Sequence, residues 1–295
     1  MPILYTHTDF DGLACAVLLG EVEDIVEIKF AEPEDVQKRE IDLVKGSIVS
    51  DLPWHPNCGK WFDHHASTAA PKQFEGRFDP HAKSAARVVM DYYDNPFLRK
   101  KFSDFVNAAD KIDTADFMPE DLKNPSGYFL ISISLDAEKT ASASFAYRRR
   151  LIELLRKKPL EKVLADGQVA KNIADRLEMQ KKLEAELPTY TRVEKGVAIV
   201  DLRNAPAWML NAGGRFAVYL QNPACIASMR VRKSKKSGIV DISIAENIFN
   251  RGMKADAGAI AKRFGGGGHH SAAGCSVDEN AVDAAIEEIV GEIGN

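Results

Sequence analysis

The segment Trp61-Phe62-Asp63-His64-His65 sets an acid directly before two imidazoles. Such a run of donors suits cation binding. Two further acidic sites precede it: Asp9 and Asp11 in His7-Thr8-Asp9-Phe10-Asp11-Gly12, and Asp51 after Ser50. Each follows a short apolar run: Ile3-Leu4-Tyr5, Ile48-Val49 and Trp61-Phe62. Short apolar runs bounded by polar residues read as buried strands. In open α/β sheets, chemistry sits beyond the carboxyl ends of parallel strands. The spacing therefore predicts that Asp9, Asp11, Asp51 and Asp63-His64-His65 converge on one sheet edge.

Convergence raises a charge problem. Two carboxylates about 4 Å apart repel by about 4 kcal/mol at an effective dielectric near ~20. Three or four gathered together would protonate or separate unless a cation lay among them. An oxygen-rich set with an imidazole or two suits Mn2+ or Mg2+, whereas His-only or Cys-rich sets suit Zn2+ better. Two such ions roughly 3.5–4 Å apart clamp a phosphoester: they generate a nucleophile from water and offset charge on the phosphoryl oxygens. One Asp at a strand end is most often a turn or cap residue, and Asp11-Gly12 alone reads as a turn before a helix. The full set, in order, reads as a metal centre.

The same residues resemble, in order, the first three motifs of the DHH phosphoesterase superfamily: His7 to Gly12, Asp51, and Asp63-His64-His65. The fourth motif of that family is an Asp in a short loop, often Asp-Thr-Gly. Asp113-Thr114-Ala115 is similar, with Ala for Gly, and Asp110 is a rival for the role. The resemblance implies two Mn2+ ions, with Mg2+ as the alternative. It implies that His7 and Asp9 hold one ion, that Asp11, His64 and Asp113 hold the other, and that Asp51 bridges them. It gives His65 a catalytic place facing the substrate phosphate, with Asp63 orienting a histidine. The first motif departs from many nuclease-like members, which separate His and Asp by three residues; here only Thr8 lies between His7 and Asp9.

A second motif runs Arg263-Phe264-Gly265-Gly266-Gly267-Gly268-His269-His270-Ser271-Ala272-Ala273-Gly274. Consecutive glycines let backbone approach a ligand closely and present N–H groups to an anion. No Lys-Ser or Lys-Thr follows, so the tract is not a Walker loop. A glycine run alone reads as a surface loop; the flanking histidines argue against a plain linker. The stretch is similar to the Gly-Gly-Gly-His motif of the domain that accompanies many DHH phosphoesterases. That resemblance implies that Gly266, Gly267, Gly268, His269 and His270 grip substrate. Ser228-Met229-Arg230-Val231 resembles the strand whose Arg also contacts substrate; an exposed strand arginine is the plain alternative.

The elements that must position these residues follow from the rest of the chain. Its 295 residues suffice for about two domains. Hydrophobic content of 45% and charged content of 28% are those of an ordinary globular protein. The net charge of −4 argues against a surface coated for long duplex DNA, though not against short nucleotides. Cys15, Cys58, Cys225 and Cys275 show no paired spacing and read as reduced thiols, which implies a cytoplasmic protein. The apolar run from Leu13 to Leu19 is too short to span a membrane, and no signal peptide is visible.

Strand-like and helix-like segments alternate in the first half, which predicts a parallel sheet. Helices are expected from Leu13 to Val22, from Ser84 to Tyr93 and after Pro96; Tyr128 to Leu135 has the β-branched residues of a strand, but its place between helical patterns favours a helix. A long connector helix is expected from Leu160 to Leu187, ended by Pro188. The expected domains are 1–187 and 188–295. In the second, Val197 to Val200, Ala217 to Leu220, Ala224 to Val231 and Ile239 to Ile244 read as strands. Asp256 to Phe264 and Asn280 to Ile293 read as helices, giving a smaller α/β domain with a mixed sheet. Arg148-Arg149-Arg150 reads as a solvated helix face, and Arg230 to Lys236 as a cluster able to funnel phosphate. Trp208 and Tyr219 are aromatic but sit in no stacking motif.

Together these readings give a Mn2+-dependent phosphoesterase with its site in a cleft between domains. The expected substrate is a short oligonucleotide or small nucleotide; no membrane partner is expected, and a homodimer is left open. Inorganic polyphosphate and a non-catalytic nucleotide sensor are the alternatives, and the complete acid set speaks against the sensor.

Overall fold

A computed structural model describes every residue except Ala66, Ser67, Ala69, Lys139, Asn211, Gly213 and Asn295. The chain folds as two compact units. The first comprises Met1–Asp116 and Pro125–Asp175, the second Phe117–Asn124 and Arg176–Asn295. The division falls within a helix, between Asp175 and Arg176.

The first unit holds strands β1 (Ile3–His7), β2 (Glu27–Ala31), β3 (Ser47–Ser50), β4 (Cys58–Asp63) and β5 (Glu75–Phe78). All pair in parallel, in the order β2-β1-β3-β4-β5. The chain leaves β1 for β2 on one side, then returns to place β3 on the other. That reversal is a topological switch point, and the crevice it opens lies beyond the carboxyl ends of β1 and β3.

Helices α1 (Phe10–Val22), α2 (Pro33–Gln37), α3 (Ala85–Tyr93) and α4 (Pro96–Asp113) belong to this unit; α5 (Pro119–Lys123) belongs to the other. They are followed by α6 (Tyr128–Ser134), α7 (Ala141–Lys157), α8 (Leu160–Leu164) and α9 (Gly167–Glu186). Phe10 to Leu19 of α1 are all buried, since α3, α4 and α7 pack around it. Its sequence is apolar on every side for that reason. Asp9 caps α1, and Ser84 caps α3. The expected single helix from Leu160 is two, broken at Ala165-Asp166. The Asp166 side chain accepts from Gln168 N at 3.2 Å and pairs with Arg150 at 2.7 Å. Asp and Gly favour such breaks over helix interiors.

The second unit holds β6 (Thr191–Glu194), β7 (Val197–Asp201), β8 (Ala227–Lys233), β9 (Ile239–Glu246), β10 (Gly267–His269) and β11 (Ala272–Asp278). Their order is β10-β11-β9-β8-β7-β6, with β7 and β8 parallel and the other pairs antiparallel. Helices α10 (Ala207–Leu210), α11 (Ala217–Gln221), α12 (Ala257–Arg263) and α13 (Val282–Ile293) complete it. Alternation along β7 builds a core on each face: Val197 and Ile199 pack with Ile260 and Ile289, Ala198 and Val200 with Leu183 and Tyr219.

The run from Ala217 to Leu220, expected as a strand, is helix α11. A short apolar run fits either state. Here the Tyr219 hydroxyl meets Ser228 Oγ at 2.7 Å and donates to the Ala245 carbonyl at 2.9 Å, pinning the helix to the sheet. The glycine tract, read as a loop, is in part strand β10, paired with β11.

Candidate functional site

Strand register brings the acids together. Thr6 lies opposite Ser50 and Ser50 opposite Phe62, so β1, β3 and β4 end level, releasing His7, Asp51 and Asp63 side by side. His7 lies opposite Ala31 on the other flank, so Thr8 and Glu32 leave together. Gly12 is required where α1 begins, because a Cβ there would stand 2.3 Å from the His7 carbonyl oxygen. Asp51 turns sharply at φ 55, a left-handed conformation that Asp adopts more readily than most residues.

Three overlapping groups of donors result. His7, Asp9 and Asp51 form one, Asp11, His64 and Asp113 a second, and Asp51, His64 and His65 a third. His7 Nδ1 lies 3.1 Å from Asp9 and 3.4 Å from Asp51. His64 Nε2 lies 3.4 Å from Asp113 and 3.8 Å from Asp11. The α3 N-terminus holds Asp11 in place through Ala85 N at 2.6 Å and Ala86 N at 2.9 Å. Asp63 Oδ1 accepts from His65 Nδ1 at 2.8 Å and from His64 N at 2.8 Å, so it orients His65 and the turn at once.

The donor set fits a cation on an observation internal to the protein. His64 Nδ1 is 3.1 Å from the Ala82 carbonyl, which can only accept. Nδ1 therefore carries the proton in the neutral ring, and the lone pair of Nε2 faces two carboxylates. His64 Nε2, His7 Nδ1 and both Asp51 carboxylate oxygens are buried without a hydrogen-bond partner. Lone pairs facing carboxylates repel, and a divalent ion removes the conflict. The carboxyls register the same strain. Burial, then Asp113 and Asp9, push Asp11 well above its ordinary value; burial, then Asp9 and Asp11, do the same to Asp51. Burial opposes ionisation of His7, but Asp51, Asp9 and Glu32 prevail and push its ring up to about 12. A proton or a metal ion must occupy that corner.

Asp110, the rival of Asp113, faces elsewhere. It accepts from Ser84 Oγ at 2.7 Å and pairs with Arg87 at 2.6 Å. Two residues at the cluster were not placed there by the sequence reading. Glu32 accepts from Thr8 Oγ1 at 2.6 Å and lies 3.3 Å from His7 Nε2. Arg148, expected on a solvated face, is buried; it donates to the Thr8 carbonyl and, at 3.2 Å, to the Leu135 carbonyl. It thus clamps the first motif and sets a positive charge beneath the acids. Burial lowers its pKa, while Asp136, Asp9 and Glu32 oppose that shift.

The second unit has a pocket of about 560 Å³, lined by Leu183, Leu202, Arg230, Arg232, Gly267 and Gly268 among others. Arg230 donates to the Met209 carbonyl at 3.1 Å, and its buried Nε has no partner. Gly268, at φ 146, stands so close to β11 that a Cβ would lie 2.4 Å from Ala273 Cα. Gly266, His269 and His270 are not among the lining residues, and both imidazoles are exposed. Tyr219 is core, and Trp208 is half-buried with Lys182 Nζ 4.1 Å above its ring. No helix among the described residues is long and apolar enough to cross a membrane.

No family model and no curated protein matches the chain by sequence. Solved structures do. A pGpG-specific phosphodiesterase from Vibrio cholerae is 25% identical, with a TM-score of 0.84 over 99% of each chain. An exopolyphosphatase-related protein from Bacteroides fragilis is 14% identical, with a TM-score of 0.54 over 99% of this chain and 92% of that one. RecJ from Thermus thermophilus, in complex with Mn2+, is 13% identical, with a TM-score of 0.60 over 98% of this chain and 51% of its own. With three motifs at the ends of β1, β3 and β4, the fourth at the end of α4, and a phosphodiesterase alike along its whole length, the structure fits the DHH superfamily of phosphoesterases.

Proposed function

We propose that the protein is a two-metal phosphodiesterase that uses Mn2+ to hydrolyse short oligonucleotides, with dinucleotides of the pGpG kind foremost. The observation that carries this reading is the overlap of three donor groups through Asp51 and His64. His7, Asp9 and Asp51 would hold one ion, Asp11, His64 and Asp113 the other, with Asp51 shared between them. Bound ions would activate water and offset the charge that builds on the phosphoryl oxygens. Asp63 holds the His65 ring, whose side chain remains 41% exposed and able to reach a substrate oxygen. Arg148 fixes the backbone of the first motif, so His7 and Asp9 keep their aim.

Recognition would fall to the second unit. Its pocket mixes an apolar wall of Leu183, Leu187, Leu202 and Val218 with Arg230 and Arg232. An apolar wall suits a nucleoside; a polyphosphate chain has no apolar part to bury. The likeness to the pGpG-specific phosphodiesterase supports the same substrate class. A net charge of −4 suits short substrates, since long strands need an extended basic groove.

A competition assay with Mn2+ tests the reading. A dinucleotide and a strand of about 24 nucleotides are mixed in one tube, with polyphosphate assayed separately. The dinucleotide should disappear first, with weak salt dependence. Faster loss of the long strand, falling steeply with salt, would instead make the protein a single-strand exonuclease. Hydrolysis of polyphosphate alone would remove the nucleotide reading.

A further inference from the structure

The first unit contains a second cavity, of about 420 Å³, that shares Asp51 and His65 with the donor cluster. Its other walls include Gln37 at the end of α2, Arg39 beyond it, and Trp54 and His55 in the turn after β3. It lies wholly within the first unit, so it is separate from the pocket beside Arg230. Neither the motifs nor the mechanism above uses it.

The chemistry of the walls is specific. Trp54 is half-buried and packs against the cluster of Tyr5, Val49 and Trp61, which fixes its ring. Pro53 and Pro56 bracket the turn and restrict the residues before them. His55 is buried, and its Nδ1 accepts from Asn57 N at 3.2 Å, which leaves the ring proton on Nε2. Burial and Arg39 hold its pKa down, so the ring stays neutral. Its Nε2 enters none of the described hydrogen bonds. Arg39 adopts φ 58 and is exposed. A rigid aromatic face, a neutral N–H donor, an amide and a guanidinium around one cavity suit a heteroaromatic ring with acceptors on its edge.

We propose that this cavity receives the base of one of the two nucleosides that flank the scissile phosphate, stacked on Trp54 with acceptor atoms toward His55. The inference rests on the phosphodiesterase reading and deepens it. A phosphate seated between Asp51 and His65 would have this cavity as its immediate neighbour. The site would then hold dinucleotides by a base on the metal-bearing unit itself, besides any held by the pocket of the second unit.

The test is a substrate–variant cycle with Mn2+ present. Wild type, Trp54→Ala, Trp54→Phe and Gln37→Ala are assayed on an intact dinucleotide and on two dinucleotides with one base deleted, at either position. Base stacking on an aromatic side chain is worth roughly 5- to 150-fold. Trp54→Ala should lower kcat/KM on the intact dinucleotide by about that factor, Trp54→Phe should restore most of it, and Gln37→Ala should have a smaller effect. On one of the two abasic substrates, wild type should lose the same factor and Trp54→Ala should lose little more. Equal losses by Trp54→Ala on all three substrates, or no loss on any, would overturn the subsite while leaving the phosphodiesterase reading intact. If Trp54→Ala does not fold, Gln37→Ala and Trp54→Phe carry the same cycle, and additivity of both with base deletion overturns the proposal. A wild-type protein that cleaves no dinucleotide overturns the phosphodiesterase reading, and the subsite with it.

Discussion

In the first unit, the ends of β1, β3 and β4 release acids and imidazoles into a space where His7, Asp51 and His64 have buried atoms without partners. In the second, the pocket beside β8 and β10 is walled by leucines, by glycine backbone and by a half-buried Arg230 with one unused nitrogen. The first region is not satisfied by the protein atoms around it: carboxylates crowd together, and buried atoms of His7, Asp51 and His64 have no hydrogen-bond partner. The second is close to satisfied and offers shape, with arginines in its wall. An unsatisfied charge cluster points to an ion that does chemistry; a nearly satisfied cavity points to a ligand that is recognised. Substitutions in the two regions should therefore fail differently, the first by losing metal and the second by losing substrate.

The largest effect should come from Asp51→Asn. Asp51 belongs to two of the three donor groups, so its neutralisation should abolish Mn2+-dependent turnover by about 1,000-fold or more, beyond the 10–100-fold typical of an outer-shell partner. Circular dichroism should show the fold retained. Near-normal turnover would break the comparison at its metal end.

Asp113→Ala comes next. A loss of roughly 100-fold or more in kcat is expected, since Asp113 stands beside His64. Asp110→Ala should act on stability instead, because it strands Arg87 and Ser84; a loss of about 1–3 kcal/mol is expected, read as a lower Tm. The opposite order in parallel kinetic and melting experiments would exchange their roles.

Arg230→Ala should keep the metals and lower kcat/KM on a dinucleotide by roughly 10- to 150-fold, the worth of a charge-assisted hydrogen bond. A small aryl phosphodiester should suffer much less. Equal losses on both would deny that the second unit recognises nucleotides. The smallest effect should be that of Asp63→Asn, about 10- to 100-fold in kcat, since it orients His65 rather than standing in a donor group. Assays at several Mn2+ concentrations should give the same loss throughout; a loss cured by excess metal would make Asp63 a ligand.

Much of the first region was legible because its signals are local. Asp9, Asp51 and Asp63-His64-His65 each follow a short apolar strand, and parallel register then converts sequence spacing into proximity. Glu32 gave no such signal. It is an exposed glutamate before a proline, and only the pairing of His7 with Ala31 brings it to Thr8. Arg148 was hidden inside three consecutive arginines, one of which alone turns inward. The second region was less legible because backbone does much of its work. A run of glycines does not announce β10, whose pairing depends on β11 lying beside it. Ala217 to Leu220 failed as a strand because a short apolar run carries no period, and contacts with β8 and β9 decide its state.

The central claim is that Asp51 joins two cation sites. Equilibrium dialysis against Mn2+ with metal analysis, run on wild type and Asp51→Asn at neutral pH, tests it without any substrate. Wild type should retain two ions per chain, and Asp51→Asn should release both at the same free metal concentration. A wild-type chain that retains no ion, or an Asp51→Asn chain that retains two with unchanged affinity, would contradict the account.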